Sequence, residues 1–333
     1  MSLADVVAAI LLVGITLYAI FGGADFGAGF WDLVAGGAER GARPRAQIEH
    51  SIGPVWEANH VWLIFILVVS WTAFGPAFAA VMSTLFVPLA LAALGIVLRG
   101  SGFAFRKQLR RLGARRAAGA TFALSSVLTP FFLGTAIGGI ASGRVPASGT
   151  GDRLSSWCNG TSLTIGLLFV ATCAYLSAVF LTVDARRVAG PDLERYFRVR
   201  ALGAALVAGA LAIAGLVVLH SDARYVFDGL TGKALPLTIA SAALGGAALV
   251  ALVRGAPRGT RVLAAGAVAA IVWGWGVAQR PYLLPKSLTI AGAAGAHDTL
   301  VVLVVVFAVA VAVVLPSLGL LYALAQRGAV QEN

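Results

Sequence analysis

Charge is scarce in this chain. Only 12% of its 333 residues are Asp, Glu, Lys or Arg, about half the roughly 25% usual in soluble domains. With 59% hydrophobic residues and a mean hydropathy of +0.90, two soluble domains, which the length alone would suggest, are excluded. Cysteine is nearly absent as well. Cys158 and Cys173 stand alone, which excludes a disulfide framework or a CxxC metal site and leaves packing or an unremarkable thiol. No Lys or Arg precedes Arg40. The start therefore lacks the basic region of a cleavable signal peptide, and the first apolar segment is expected to remain as a membrane helix.

What is abundant is long uncharged sequence. Crossing the hydrocarbon core takes about 20 apolar residues as a helix, and several stretches here qualify. The run 58–98 has 41 residues, roughly 60 Å as one helix, twice the membrane. Gly75-Pro76 lies near its middle and is a natural break. The expected spans are 4–30, 49–74, 76–98, 117–140, 161–183, 201–220, 234–253, 262–279 and 299–325. Runs this long and continuous do not suit barrel strands, and only helices or closed barrels satisfy their backbone in lipid. The fold class is an all-α integral membrane protein, one helical bundle of about nine transmembrane helices forming a single polytopic domain over 1–333.

The net charge of +11 would raise nucleic acid as a partner in a soluble protein. Here the basic residues sit in short loops, so no nucleic acid is expected. Taken by side, 19 of the 25 Lys and Arg follow spans 1, 3, 5, 7 and 9, Arg99 among them, and six fall on the other side. The positive-inside rule then places the N-terminus outside and the C-terminus in the cytoplasm. The basic loop 106–111 can also touch anionic lipid. From about residue 200 the chain is rich in Ala, Gly, Val and Leu, which serves close helix packing in lipid.

Charges inside spans are costly and usually functional. Asp25 and Asp32 lie on one helical face within Gly22-Gly23-Ala24-Asp25-Phe26-Gly27-Ala28-Gly29-Phe30-Trp31-Asp32. Asp25 sits roughly 30 Å into span 1, in its cytoplasmic part. Either the helix runs on past Asp25 through Phe30-Trp31, or it has already ended and Asp25 is interfacial. Helix 2 carries Trp56-Glu57-Ala58-Asn59-His60. Glu57 and His60 are one turn apart, a spacing at which a carboxylate and an imidazole can pass a proton. Glu57 lies roughly 13 Å inside from the cytoplasmic start of helix 2, so Asp25 and Glu57 reach a similar depth from opposite directions. Asp25, Glu57, His60 and Asn59 are the proton-path candidates. A structural network between helices, or the surface of a partner subunit, would use the same residues.

Haem iron generally takes His, Met, Cys or Tyr. His50 and His220 sit near span ends, His297 is expected in a loop, and Met82 is the internal methionine. No two histidines face each other across spans at mid-membrane, so this chain is expected to ligate no haem. Ser125, Ser126, Thr129 and Thr135 in span 4, and Thr172, Ser177 and Thr182 in span 5, are expected to bond back to their own helices. Asp184 is placed at the cytoplasmic end of span 5. Trp273-Gly274-Trp275 through Arg280-Pro281-Tyr282-Leu283-Leu284-Pro285 is expected to close span 8 on the outer side.

At these residues the chain resembles the cytochrome bd-type quinol oxidase subunit II family over nearly its whole length. Gly23 to Gly29 is similar to the acidic, glycine-rich segment of the family's first helix. Ser51-Ile52-Gly53-Pro54-Val55-Trp56-Glu57-Ala58-Asn59-His60-Val61-Trp62-Leu63-Ile64 is similar to its helix 2 signature. Arg280 to Pro285 and Leu315-Pro316-Ser317 resemble later family segments. Some members carry Asp-Gly where this chain has Glu57-Ala58, so the carboxylate is kept with one more methylene. Some members also carry a second acid before the position of Asp25, where this chain has Gly or Ala.

The resemblance implies a bacterial cell-membrane terminal oxidase that oxidises quinol and reduces dioxygen to water. It implies a heterodimer in which subunit I carries haem b and haem d, and in which this chain supports subunit I and lines a cytoplasmic proton path. It allows a structural quinone and a small accessory subunit, and lipid and quinol as surroundings. The rival class is a secondary transporter or permease subunit, which also uses intramembrane acids. Such proteins show paired broken helices in two related halves, and no such pair is visible in this sequence.

Overall fold

The computed structural model describes residues 2–37, 39–108, 112–255 and 259–326, with the side chains of 52–58, 103, 106–112, 115, 314–315, 318–319 and 321–326 outside the description. Helix α1 (Leu3–Leu33) begins at a capping box. The Ser2 hydroxyl accepts from the Asp5 amide at 3.2 Å, and the Asp5 carboxylate accepts from the Ser2 amide at 3.0 Å, satisfying two helix-end groups at once. A turn held by Arg45 leads into α2 (Ala42–Ala73). Its guanidinium donates to Gly36 O at 2.5 Å and Gly37 O at 3.2 Å and pairs with Asp32 at 3.3 Å. This arginine therefore closes the carbonyl end of α1, where a cation also suits the helix dipole.

The break expected at Gly75-Pro76 is present. α2 ends at Ala73, α3 (Gly75–Thr84) begins with Pro76 in its first turn, and the two helices are bent by 117°. A second break, at Leu85, was not anticipated. It divides the expected span 76–98 into α3 and α4 (Phe86–Gln108). Pro88 supplies the reason, because it has no N–H to carry α3 through into α4. At ten residues α3 is about 15 Å long, half the hydrocarbon thickness.

Helices α5 (Leu112–Ala141), α6 (Gly160–Val188) and α7 (Pro191–Asp222) follow, then the short α8 (Arg224–Thr231), α9 (Leu235–Val253) and α10 (Thr260–Gln279). α10 stops where the Arg280–Pro285 segment begins, and that segment turns into a small antiparallel hairpin of β1 (Tyr282–Leu284) and β2 (Leu288–Thr289). The one-turn α11 (Ile290–Ala293) precedes α12 (His297–Gln326), so His297 opens a helix rather than lying in a loop. Among the described residues six helices are long and apolar enough to cross a membrane: α1, α5, α6, α7, α9 and α10. The bent pair α2–α3 passes the same test jointly, and α4 and α12 carry shorter apolar stretches. The chain is a mostly helical, multi-pass membrane protein.

Helix α1 is the hub, packing against α2, α5, α6 and α10. Everything from Gly22 to Gly29 is buried. A Cβ at Gly27 would land on the Cys173 carbonyl of α6, and one at Gly29 on the Ser126 side chain of α5. Trp31 Nε1 then donates to Ala174 O at 2.8 Å and fixes the α1–α6 register. Small residues here give backbone-to-backbone approach, the main source of packing energy between helices in lipid. Large side chains such as Val61, Ile64, Trp71, Phe86 and Val97 are instead 61–70% exposed, a surface suited to lipid or to an apolar partner. The hydroxyls of Ser125, Ser126, Thr135 and Thr182 bond to their own helices as expected, at 2.6 Å to Thr121 O, 2.6 Å to Phe122 O, 2.8 Å to Phe132 O and 2.7 Å to Ala178 O. Thr129 Oγ1, by contrast, is buried without a hydrogen-bond partner among the described residues.

Candidate functional site

Asp25 is 1% exposed and α1 runs eight residues beyond it. The alternative that helix 1 has already ended at Asp25 therefore falls, and a carboxylate stands inside the bundle. Such a group needs a partner, and the partner is Arg99 of α4. Its Nη2 lies 2.6 Å from Asp25 Oδ1 and its Nη1 2.8 Å from Oδ2, a fork-to-fork pair. Nη2 also donates to the Asp25 carbonyl at 3.1 Å, and Nε donates to Ser126 Oγ of α5 at 2.9 Å. The guanidinium carbon sits 5.2 Å from the centre of the Phe26 ring and 4.8 Å from that of Phe122. Two aromatic faces at this range attract a desolvated cation. Arg99 thereby joins α1, α4 and α5.

α2 enters through Asn59, whose Nδ2 donates to Asp25 Oδ2 at 3.2 Å. Its Oδ1 is buried without a hydrogen-bond partner and rests against Gly22, where an added Cβ would come within 2.8 Å. Glycine at position 22 thus makes room for the amide. Beside these groups is a cavity of about 10 Å³ bordered by Tyr18, Asp25, Asn59, His60 and Arg99. That volume fits a single water, and the polar lining could supply the two to four partners a buried water needs. His60 is half-buried at its edge.

Of the four candidates read from the sequence, Asp25, Asn59 and His60 meet around one cavity. The sequence sets Asp25 and Glu57 at similar depth, and the structure brings Asn59, two residues after Glu57, to Asp25. Glu57 stands two residues before Asn59 on α2, but its side chain lies outside the described residues. Arg99 is the residue sequence reading missed. It was counted among the basic loop residues that follow span 3, whereas it is 2% exposed within α4. Removing it leaves 18 basic residues against six, so the charge asymmetry survives. The available signal was its neighbourhood. Gly95 and Gly102 lie four before and three after Arg99, on one helical face, and both pack closely on α5, at Thr129 and Ala118. An arginine between two packing glycines belongs to an interface.

Other ion pairs lie away from this site. Arg144 grips Asp222 at 2.5 and 3.0 Å, with Thr161 donating to the same carboxylate at 2.6 Å. Asp184, expected at a span end, pairs with Arg261 at 2.6 Å. Among the described residues no group of three or more His, Cys, Asp or Glu is placed to hold a metal ion.

The family model for cytochrome bd terminal oxidase subunit II matches residues 3–325. The chain is 27% identical over 223 residues to the cytochrome bd ubiquinol oxidase subunit 2 of Bacillus subtilis, covering 65% of this chain and 62% of that one. It is 28% identical over 228 residues to the cytochrome bd-I ubiquinol oxidase subunit 2 of Escherichia coli, covering 65% and 58%. The matched stretch thus spans about three fifths of these relatives' length. In backbone, the chain is similar to one in the solved structure of bd oxidase from Geobacillus thermodenitrificans. The TM-score is 0.77 at 24% identity, over 97% of this chain and 98% of that one. At that identity the likeness is one of fold.

Proposed function

The chain belongs to the cytochrome bd terminal oxidase subunit II family, and from that premise we propose that it is the subunit of a quinol:oxygen oxidoreductase that supports a haem-bearing subunit I and lines its cytoplasmic proton-uptake path. The haems of the partner supply the reduction of dioxygen to water. This chain supplies a polar route through an otherwise apolar wall. The observation that carries the reading is the buried meeting of Asp25, Arg99, Asn59 and His60 around a water-sized cavity. Intramembrane charge is expensive enough that it rarely persists without a task.

In this reading the whole chain is one membrane domain with nine spans, the N-terminus outside and the C-terminus cytoplasmic. The asymmetry of Lys and Arg supports it. Asp25 and the Glu57–His60 turn of α2 then stand toward the cytoplasmic side, where protons enter. Glu57 takes up protons, and His60 and Asp25 pass them along a hydrogen-bonded chain with water between, which the Asn59 amide orients. The exposed apolar side chains of α2, α3 and α4 suit lipid or subunit I.

The test is quinol oxidase turnover per haem in the assembled complex with Glu57→Ala. A fall of tenfold or more at normal haem content supports the path. Normal turnover at normal haem content removes Glu57 from it, and lost haem content assigns Glu57 to subunit contact instead.

A further inference from the structure

We propose that Arg99 is a positioning residue of the proton route: it holds both Asp25 oxygens and, through them, the Asn59 amide in the one arrangement that keeps the cavity polar and open. The inference rests on the proton-path reading and extends it to a residue on a third helix. The Asp25 carboxylate has two oxygens, and Arg99 takes both, at 2.6 and 2.8 Å. A carboxylate gripped by a planar fork cannot rotate about its last bond without losing both contacts. Oδ2 is thereby fixed as the acceptor for Asn59 Nδ2 at 3.2 Å. With the NH2 group so committed, Asn59 Oδ1 is the atom left without a protein partner, and the cavity beside it is sized for one water.

The fork is itself held on every side. Phe26 and Phe122 flank the guanidinium plane at 5.2 and 4.8 Å, and Ser126 accepts from Nε at 2.9 Å. Ser126 donates its own proton to Phe122 O, so its lone pairs face Arg99. A cation needed only to neutralise Asp25 could be a lysine. A planar group matched to two rings, one hydroxyl and both carboxylate oxygens sets direction as well as charge. Among the described residues, the charged and titratable groups around it are Asp25 and Tyr18 of α1, His60 of α2 and Cys173 of α6.

The experiment measures turnover per haem, KM for quinol and the solvent deuterium isotope effect on the assembled oxidase with Arg99→Gln and Arg99→Lys. Arg99→Gln should lower turnover per haem at least tenfold with KM unchanged and a raised isotope effect, since only proton delivery is slowed. Arg99→Lys keeps the cation but loses the fork. It should assemble with normal haem content and lose about threefold, again with KM unchanged. A merely structural residue would lower the amount of assembled complex and leave turnover per haem alone. Full turnover per haem in the lysine variant overturns the proposal, even where the glutamine variant fails to assemble. A parallel His60→Gln variant separates the two readings. If it is slow while Arg99→Lys is normal, the route stands without Arg99; if neither variant nor Glu57→Ala slows turnover per haem, the route itself fails.

Discussion

Asp25 on α1 and Arg99 on α4 close a two-pronged ion pair across 74 residues of sequence, both side chains being at most 3% exposed. Removing one member strands the other in a medium that cannot solvate it, at a cost of roughly 3–5 kcal/mol. Removing both leaves a smaller defect, because no uncompensated charge remains. Asp25→Asn and Arg99→Met alone should therefore lower the thermal midpoint of the complex more than the two together. Heating the purified oxidase and following loss of its haem bands measures this. Additive losses in the double variant would mean that the pair is not coupled.

Much of this architecture is legible in the sequence because lipid permits few solutions. Uncharged runs of 20 or more residues have to become helices, and Gly75-Pro76 has to end one. Asp25, Asn59 and His60 were legible too, as polar groups where none should be. The Leu85 break was hidden because Pro88 sits three residues inside the following helix, where a first-turn proline also looks ordinary. Arg99 was hidden for a different reason. Its position at the edge of an apolar run is what the positive-inside rule leads one to expect of a loop arginine. Only the approach of α1 and α5 shows that it points inward. Pairing is a tertiary fact, and a count of charges by loop cannot contain it.

Gly27 makes a sharper demand than its neighbours. A Cβ there would coincide with the backbone carbonyl of Cys173, and backbone cannot swing aside as a side chain can. Gly27→Val should separate α1 from α6, break the Trp31–Ala174 hydrogen bond and abolish assembly. Gly37→Val is the control, since nothing lies within 4 Å of that position. Haem content of membranes expressing each variant decides the matter. Normal assembly of Gly27→Val would show that α1 and α6 are not in backbone contact.

The loop between α5 and α6 carries its own pH dependence. The Leu154 and Ser155 amides donate to Asp152 at 2.9 and 2.6 Å, and these backbone bonds, Ser155 first, lower its pKa below the ordinary carboxylate value. A folded pKa below the unfolded one means that the turn is favoured at neutral pH and loses that contribution as pH falls through the lowered value. Hydrogen exchange at Leu154 and Ser155, corrected for intrinsic rates, should show protection that persists through the usual carboxylate range and fades below it. Asp152→Asn should flatten the profile. Protection that disappears at higher pH than for a free aspartate would reverse the sign.

The same loop can settle the orientation. Cys158 is exposed, one residue before Asn159, which caps α6 by accepting from the Ser162 amide at 2.9 Å. Cys173, within α6, is buried beneath Gly27 and Gly23 of α1. The chain thus carries one exposed and one buried thiol, and the proposed topology puts the exposed one outside. A membrane-impermeant maleimide added to intact spheroplasts should label Cys158, and Cys158→Ser should abolish labelling. Cys173 should react only after denaturation. Because Cys173 is shielded by packing, its labelling serves as an internal control for unfolding. Labelling confined to inverted vesicles would place this loop in the cytoplasm. Asp25 and His60 would then face outward, and a proton route from the cytoplasm through these residues would have no entrance.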